Sequence, residues 1–295
     1  MSKHFLTGME FNLKEWQKLI ALAKACKQNP SAFSEHLKGR ALILLFAKPS
    51  FRTRLSFTRA MQLLGGAAIE SVASTRKPEP LEDLVQVIAG YADAVMLRTH
   101  EDKILTDLAK VAKIPIINGL TALHHPCQIF ADLCLLEEIY HDLAQVTLCY
   151  VGAGNNILHS LLLLAPLLGV KIHYSCPLNY APDKEILELA NTLHKDKIKP
   201  FKLPQDAVKG VDAVYTDVWQ SMGFKAVDPK EFALFQVNAK LMSLAAPNAL
   251  FLHCMPMQRG VEVAKTLPDS PCSKIFMQSE YRLYAQMALL MTIIP

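Results

Sequence analysis

The sequence lacks an uninterrupted hydrophobic run long enough to cross a membrane. Its longest apolar stretch, residues 161–170, is broken by Pro166 and Gly169, whereas a membrane-spanning helix needs about 20 apolar residues. Residues 1–19 carry charged side chains among their apolar ones, so they do not have the continuous apolar core of a secretory signal. We therefore expect a protein that makes no use of a membrane.

The sequence also lacks any C-x-x-C pair, and its seven cysteines are scattered and odd in number. They are Cys26, Cys127, Cys134, Cys149, Cys176, Cys254 and Cys272. This pattern is typical neither of a disulfide framework nor of a cysteine-rich metal site, and an isolated reduced cysteine behaves as a small hydrophobic residue. We predict a reducing, cytoplasmic location and no bound metal.

A strong charge of either sign is missing as well. The 31 Lys and Arg residues outnumber the 27 Asp and Glu residues by only four, and no basic stripe is interleaved with aromatic residues. A nucleic-acid partner is therefore not expected, whereas a small anionic substrate fits this charge. With 295 residues, of which 51% are hydrophobic and 20% charged, the chain has the composition of a globular protein and the length of two ordinary domains.

Apolar strand-like segments alternate with helix-like segments along the chain. The predicted strands are 41–46, 67–72, 94–97, 114–117, 146–151, 170–174, 213–216 and 249–252. The predicted helices are one opening after Asn12, then 55–64, 81–91, 103–112, 126–140, 157–168, 183–194, 238–244 and 279–294. This alternation predicts an α/β fold of two doubly wound parallel-sheet domains joined by helices. We place the first domain at residues 1–132 together with 279–295, and the second at residues 133–278.

The most informative stretch follows the first predicted core strand. After 41–46 and the Lys48-Pro49 turn, a helix is predicted to begin among Ser50, Arg52 and Thr53. The first N–H groups of a helix have no intrahelical partners and carry partial positive charge. Basic and hydroxyl side chains at such a position indicate a socket for a small anion, most simply a phosphate.

Two more predicted strand ends carry polar side chains. Arg98 ends the strand 94–97, and His125 and Gln128 follow the strand 114–117 at the start of a helix. Because the carboxyl ends of parallel strands meet at one edge of a sheet, these residues are expected near the anion socket.

The segment Gly152-Ala153-Gly154 follows a predicted strand and invites comparison with a dinucleotide site. The third position of the G-x-G-x-x-G motif is Ile157 rather than glycine, and the next strand ends without the acidic residue expected to hold a ribose. No nucleotide cofactor is therefore predicted, and an oxidoreductase remains a weaker alternative.

His253 and Cys254 follow the last predicted strand and suggest a cysteine nucleophile with a histidine base. Neighbouring residues of a strand point to opposite faces, so these two cannot form such a pair with each other. Two interpretations of Cys254 stay open, a contact to a substrate amine and a buried structural thiol.

Taken together and in this order, the motifs resemble the aspartate/ornithine carbamoyltransferase family, most closely its ornithine branch, over nearly the whole chain. Residues 50–54 are similar to the family's S-T-R-T-R carbamoyl phosphate loop, and 125–128 to its H-P-x-Q motif. The remaining matches are Arg98, residues 154–156, 217–223 and 253–256, and Arg282 near the C-terminus.

The resemblance implies carbamoyl transfer from carbamoyl phosphate to L-ornithine in a homotrimer or a higher oligomer, within arginine biosynthesis or the related catabolic direction. It implies that the C-terminal helix packs back toward the N-terminal domain. The implied carbamoyl phosphate residues are Ser50, Phe51, Arg52, Thr53, Arg98, His125, Gln128, Cys254, Met255 and Arg282. The implied ornithine residues are Asn156, Asp217, Ser221 and Met222. The implied catalytic residues are Arg52, Arg98, His125, Asp217 and Cys254.

The chain departs from the family pattern at three places. Phe51 stands where the family usually has Thr, and Ala153 where it often has Asp. The loop 74–80 lacks a Gln that ornithine-type enzymes usually supply from a neighbouring subunit, and Ser74, Arg76 or Lys77 are its candidate replacements. Three alternatives stay open: a carbamoyltransferase for N-acetylornithine, putrescine or aspartate, a dinucleotide-binding oxidoreductase, and an inactive partner subunit.

Overall fold

The computed structural model of the protein describes residues 3–47, 50–72, 79–220 and 227–295. Within these ranges no helix combines the length and the apolar character needed to span a bilayer. All seven cysteines lie in the described part of the chain, and each is a free thiol.

The first sheet has four parallel strands in the order β2-β1-β3-β4. Its strands are β1 (Ala41–Phe46), β2 (Ala67–Val72), β3 (Ala94–Arg98) and β4 (Ile116–Leu120). The accompanying helices are α1 (Leu13–Gln28), α2 (Phe51–Leu63), α3 (Leu81–Ile88), α4 (Asp102–Val111) and α5 (Pro126–Tyr140). Helix α1 begins with a complete capping box, in which the side chain of Asn12 caps the backbone of Glu15 and Glu15 caps Asn12 in return.

The second sheet has five parallel strands in the order β7-β6-β5-β8-β9. Its strands are β5 (Thr147–Val151), β6 (Lys171–Ser175), β7 (Ile198–Pro200), β8 (Ala213–Thr216) and β9 (Leu250–His253). The accompanying helices are α6 (Asn156–Leu164), α7 (Lys184–Leu193), α8 (Pro204–Ala207), α9 (Ala239–Met242) and α10 (Ile275–Ile293). Buried apolar residues such as Val151, Val214 and Phe251 carry the core of this sheet.

The chain divides into two compact units. Unit 1 consists of Met1–Cys134 with Tyr281–Pro295, and unit 2 of Leu135–Glu280. Helices α5 and α10 each cross the boundary, and the larger part of α10 belongs to unit 1. The predicted α/β class, the two parallel sheets and the return of the C-terminal helix are confirmed.

Strand order reverses once in each sheet, and ligands of such sheets bind at that point. In unit 1 the reversal lies between β1 and β3, so the segments following Phe46 and Arg98 leave the sheet side by side. In unit 2 it lies between β5 and β8, where the segments after Val151 and Thr216 leave the sheet. Both reversals bring predicted site residues to the carboxyl edge of their own sheet.

Several predicted boundaries are wrong. The strand predicted at 114–117 is β4, which continues to Leu120 because its backbone pairs with β3 as far as Arg98. The helix predicted at 157–168 ends at Leu164, since Pro166 has no N–H to extend it and a separate 3₁₀ turn follows. Strand β7 and helix α8 were not predicted, and α10 begins at Ile275, four residues before the predicted start.

Candidate functional site

The predicted anion socket of unit 1 is built on the first turn of α2. Ser50 occupies the N-cap position, but its side chain caps no backbone N–H of the helix. Its hydroxyl oxygen instead accepts a hydrogen bond from Nη1 of Arg98 at 2.9 Å. Arg98 is the last residue of β3, so the reversal of strand order delivers a guanidinium group to the start of a helix.

A second arginine reaches the same turn from the far end of the chain. Arg282 Nη2 donates to the Thr53 hydroxyl at 2.9 Å, and Arg98 Nη1 lies 3.5 Å from the same oxygen. Arg282 and Thr53 are 229 residues apart in sequence, and both are buried. Two cations and a helix N-terminus converge here, and this combination favours a bound anion.

Arg52 and Phe51 occupy the same first turn. Arg52 is half-buried, whereas the Phe51 ring is largely exposed. The turn around Phe51 still offers a backbone N–H, but the Phe51 side chain adds no hydroxyl group to the socket.

His125 stands immediately before α5 and is almost completely buried. Burial lowers the pKa of its imidazole well below the ordinary value of 6.5, and the positive charges of Arg282 and Arg98 lower it further. The ring is therefore neutral at pH 7. A neutral imidazole can donate a hydrogen bond to a carbonyl oxygen without giving up its proton.

The loop that presents His125 is held by a carboxylate that the sequence patterns did not single out. Asp102 Oδ1 accepts from the Thr121 hydroxyl at 2.6 Å and lies 2.7 Å from Nδ1 of His124. Its second oxygen accepts from the backbone N–H of Leu123 at 3.3 Å. A single acidic residue at the start of α4 carries no recognisable motif, so only the structure reveals this role.

Gln128 and Asp132 face each other one turn apart on α5. The Gln128 Nε2 group donates to Asp132 Oδ1 at 2.8 Å, and both side chains are buried. Cys127, the residue before Gln128, stays protonated at neutral pH, because burial raises the pKa of its thiol to about 12, and its sulfur donates to the carbonyl oxygen of Asn118. Gln128 was predicted from its motif, whereas Asp132 was missed.

The candidate site of unit 2 centres on Asp217, the residue that follows β8. Its Oδ2 accepts from Asn155 Nδ2 at 2.7 Å, and its Oδ1 accepts from the Cys254 thiol at 3.1 Å. The Asn155 side chain also caps α6 through its own oxygen, which accepts from the backbone N–H groups of Ile157 and Leu158. The carboxylate is therefore held from two sides in a nearly buried setting.

The other predicted residues of unit 2 have different outcomes. Asn156 begins α6 and is buried, and Met255 lies in the turn after β9. Cys254 and Met255 belong to unit 2, whereas the other predicted carbamoyl phosphate residues belong to unit 1. Ser221 and Met222 fall outside the described residues. So do the candidate loop residues Ser74, Arg76 and Lys77.

The turn that carries Cys254 is anchored by a buried network. His253 Nδ1 accepts from the backbone N–H of Met255 at 2.9 Å, and His253 Nε2 lies 3.1 Å from Glu262 Oε1. The backbone N–H of His253 donates to Gln278 Oε1 at 2.9 Å. His253 thus orients the turn through both of its ring nitrogens. Glu262 and Gln278 were not predicted.

Asp217, His253 and Cys254 also offer three ligand-type atoms within 4.8 Å of one another. Their separation in sequence explains why no metal-ligand spacing was visible. Both ring nitrogens of His253 already face hydrogen-bonding partners, so the histidine would have to give up one of them to bind a cation. The absence of a metal stays a prediction.

Comparison with known proteins identifies both halves of the chain. Residues 3–138 match the family described as "Aspartate/ornithine carbamoyltransferase, carbamoyl-P binding domain". Residues 144–293 match "Aspartate/ornithine carbamoyltransferase, Asp/Orn binding domain". The ornithine carbamoyltransferase of Listeria innocua is 43% identical over an alignment of 304 positions, which covers 99% of this chain and 96% of that protein.

Solved structures agree with this family match. The crystal structure of ornithine carbamoyltransferase from Thermus thermophilus has a TM-score of 0.92 at 35% identity and covers all of both chains. A mutant of N-acetyl-L-ornithine transcarbamylase has a TM-score of 0.89 at 25% identity, covering 99% of this chain and 100% of its own. The fold is therefore common to enzymes named for two acceptor amines, and the higher identity lies with the ornithine enzyme.

Proposed function

Since the chain belongs to the aspartate/ornithine carbamoyltransferase family, we propose that it transfers the carbamoyl group of carbamoyl phosphate to the side-chain amine of L-ornithine, giving L-citrulline and phosphate. The observation that supports this most directly is the convergence of Arg98 and Arg282 on Thr53 at the N-terminus of α2. Such a socket suits the terminal phosphate group of carbamoyl phosphate, the substrate that members of this family share.

Unit 1 takes carbamoyl phosphate in this proposal. The phosphate lies at the first turn of α2, where the side chains and backbone N–H groups of one set of residues bind it. That set consists of Ser50, Phe51, Arg52, Thr53, Arg98 and Arg282. Guanidinium groups bind phosphate through paired N–H donors, which orient the group as well as attract it.

His125 and Gln128 act on the carbamoyl end. Attack by the amine pushes negative charge onto the carbonyl oxygen, and a neutral His125 imidazole together with Arg98 donates hydrogen bonds to that oxygen. Each preorganised donor of this kind is worth about 10²–10³ in rate. The oxygen of Gln128 accepts a hydrogen bond from an N–H of the carbamoyl amide. Phosphate leaves with the electron pair of the broken C–O bond and takes up the proton that the attacking amine gives up.

Unit 2 takes L-ornithine. Asp217 is a carboxylate with room for a further donor, since two oxygens can accept about four hydrogen bonds and two are used by Asn155 and Cys254. It therefore suits the α-ammonium group. Asn156, with Ser221 and Met222 from outside the described residues, orients the amino-acid end, and Cys254, with Met255 beside it, contacts the side-chain amine of ornithine.

The pH profile tests the state of the attacking amine. An alkyl amine with a pKa of about 10.4 requires about 4–5 kcal/mol for deprotonation at neutral pH, so kcat/KM for ornithine is expected to rise with pH between about 7 and 8. Burial and the neighbouring arginines keep the pKa of His125 well below 6.5, so this ring is already neutral there and does not contribute to the rise. A flat profile from pH 7 to 8 would contradict the proposal.

The reaction itself is tested by incubating the protein with carbamoyl phosphate and one amine at a time. Citrulline formed from ornithine, with little product from N-acetylornithine, putrescine or aspartate, is the expected result. If one of the other amines gave product, the proposed carbamoyl phosphate site would stand, but ornithine would not be the acceptor. Product from none of them would favour an inactive partner subunit, for which Phe51 and the 74–80 loop are the candidate causes.

We also infer a homotrimer located in the cytoplasm and acting in arginine metabolism. The surface of unit 1 supports an assembly, because Phe51 is 69% exposed, Leu55 52% and Ile69 50%. The Arg54–Glu70 ion pair, at 2.6 Å, links the helix and the strand that carry them. Phe51 and Leu55 lie one turn apart on α2, and exposed apolar side chains that lie together are typical of a protein–protein contact. A second copy of this chain is the partner that the family implies.

Replacement of Leu55 by Asp tests this assembly. Light scattering after size-exclusion chromatography is expected to give three times the 32.8-kDa chain mass for the wild type and a smaller mass for Leu55→Asp, since burying an unpaired carboxylate is unfavourable. Val87→Asp, at a similarly exposed position of α3, is the matched control and is expected to keep the trimer. A trimeric Leu55→Asp protein would remove α2 from the interface.

A further inference from the structure

The amide of Gln128 is held in one of its two possible orientations. An amide presents a donor end and an acceptor end of almost identical shape, and hydrogen bonding alone decides which end points where. Asp132 lies four residues further along α5, on the same face of the helix. Its Oδ1 is 2.8 Å from Gln128 Nε2. A carboxylate can only accept, so it requires the NH₂ end of Gln128 to face it.

The other end of the same amide is an acceptor in a buried position. Gln128 Oε1 is inaccessible to solvent and, among residues 3–47, 50–72, 79–220 and 227–295, it has no hydrogen-bond partner. Burying an amide oxygen without a donor is unfavourable. The energy is recovered when a ligand supplies an N–H group, and the carbamoyl group carries two of them.

Building on the proposed function, we propose that Asp132 is a positioning residue. It makes the site selective for carbamoyl phosphate over acyl phosphates that have no N–H group, such as acetyl phosphate. Asp132 fixes Gln128 with its oxygen toward the substrate. The NH₂ group of carbamoyl phosphate can then donate a hydrogen bond to this oxygen, which strengthens binding. Acetyl phosphate has a methyl group in that place, so its binding leaves Gln128 Oε1 buried and unsatisfied. A site built to bind an N–H group of its substrate strongly rejects analogues that lack this group.

The test compares the affinities of carbamoyl phosphate and acetyl phosphate in the full-length protein. Both are measured by titration calorimetry with no amine present, so that the result does not depend on the acceptor. Wild-type protein is expected to bind carbamoyl phosphate more tightly. Asp132→Leu is expected to reduce the ratio of the two affinities about tenfold, mainly by weakening carbamoyl phosphate, because Gln128 is then free to turn over.

A milder variant guards against loss of folding. Asp132→Asn preserves the shape of the side chain, but it can present either an oxygen or an NH₂ group to Gln128, and a two- to fivefold lower ratio is expected. In a Gln128→Ala background, Asp132→Leu is expected to change the ratio no further, because the residue acts through Gln128. Asp107→Asn removes a negative charge from the exposed face of α4 and is expected to leave the ratio unchanged.

The outcomes separate the two proposals. A folded Asp132→Asn or Asp132→Leu protein with the wild-type affinity ratio would overturn the positioning role and leave the carbamoyl phosphate site in place. Equal losses for both ligands would assign Asp132 a purely structural role. Wild-type protein that binds neither ligand would instead overturn the proposed function, and this inference with it.

Discussion

Arg98→Ala is expected to lower kcat/KM for carbamoyl phosphate by about 10²- to 10³-fold while the protein stays folded. Arg98 contacts Ser50 at 2.9 Å and Thr53 at 3.5 Å, so its loss removes a cation from the centre of the anion socket. The effect is expected in kcat as well as in KM, because we propose that the same group donates to the carbonyl oxygen on which charge develops. Steady-state kinetics with carbamoyl phosphate as the varied substrate measures it.

Two further variants make the Arg98 result specific. Arg98→Lys restores the charge but not the paired N–H donors, and only partial recovery is expected. Arg59→Ala removes an exposed arginine from the same unit, on the opposite end of α2, and is expected to leave kcat/KM within about twofold. Wild-type turnover by a folded Arg98→Ala protein would rule out this socket as the phosphate site.

Asp217→Asn is expected to raise the KM for ornithine by about 10- to 100-fold, with the KM for carbamoyl phosphate nearly unchanged. A hydrogen bond between a carboxylate and an ammonium group contributes about 1.5–3 kcal/mol, and the amide cannot replace the charge. Asn155 and Cys254 both donate to the Asp217 carboxylate. In the variant one of them faces the NH₂ end of the new amide, which cannot accept a hydrogen bond from it. Varying ornithine at saturating carbamoyl phosphate measures the effect.

Asp228→Asn is the matched control for this change. Asp228 is an exposed carboxylate of unit 2 that caps a short turn through the backbone N–H of Lys230, and asparagine caps nearly as well. Its variant is expected to behave like the wild type. If both variants had the same ornithine KM, Asp217 would be only a structural partner of Asn155 and Cys254.

The sequence predicted the fold well where hydrophobic pattern and chain punctuation agree. Strand β1 and helix α5 have the predicted bounds, since a short apolar run and a proline mark them clearly. The bounds of β4 were wrong because Asn118 and Gly119 are weak strand formers that pairing with β3 holds in place. Strand β7 is three residues long, too short for a periodic signal.

The site was predictable to the extent that it lies at strand ends. Arg98 and His125 follow from parallel-sheet geometry alone, whereas Arg282 required the family resemblance because nothing local links a C-terminal helix to α2. Asp132 and Glu262 were missed for a different reason. An acidic residue inside an otherwise apolar segment shows no pattern that distinguishes a buried hydrogen-bond partner from an exposed side chain.

The contact between Arg282 and Thr53 has a consequence for how the protein comes into being. A chain is synthesised from its N-terminus, so the whole of unit 2 has been made before unit 1 receives its last helix. The proposed phosphate socket is complete only when Arg282, close to the end of the 295-residue chain, has joined the first turn of α2. A product that ends directly after Glu280 would thus contain all of unit 2, for which we propose the acceptor site, but would lack the arginine that completes the proposed donor site.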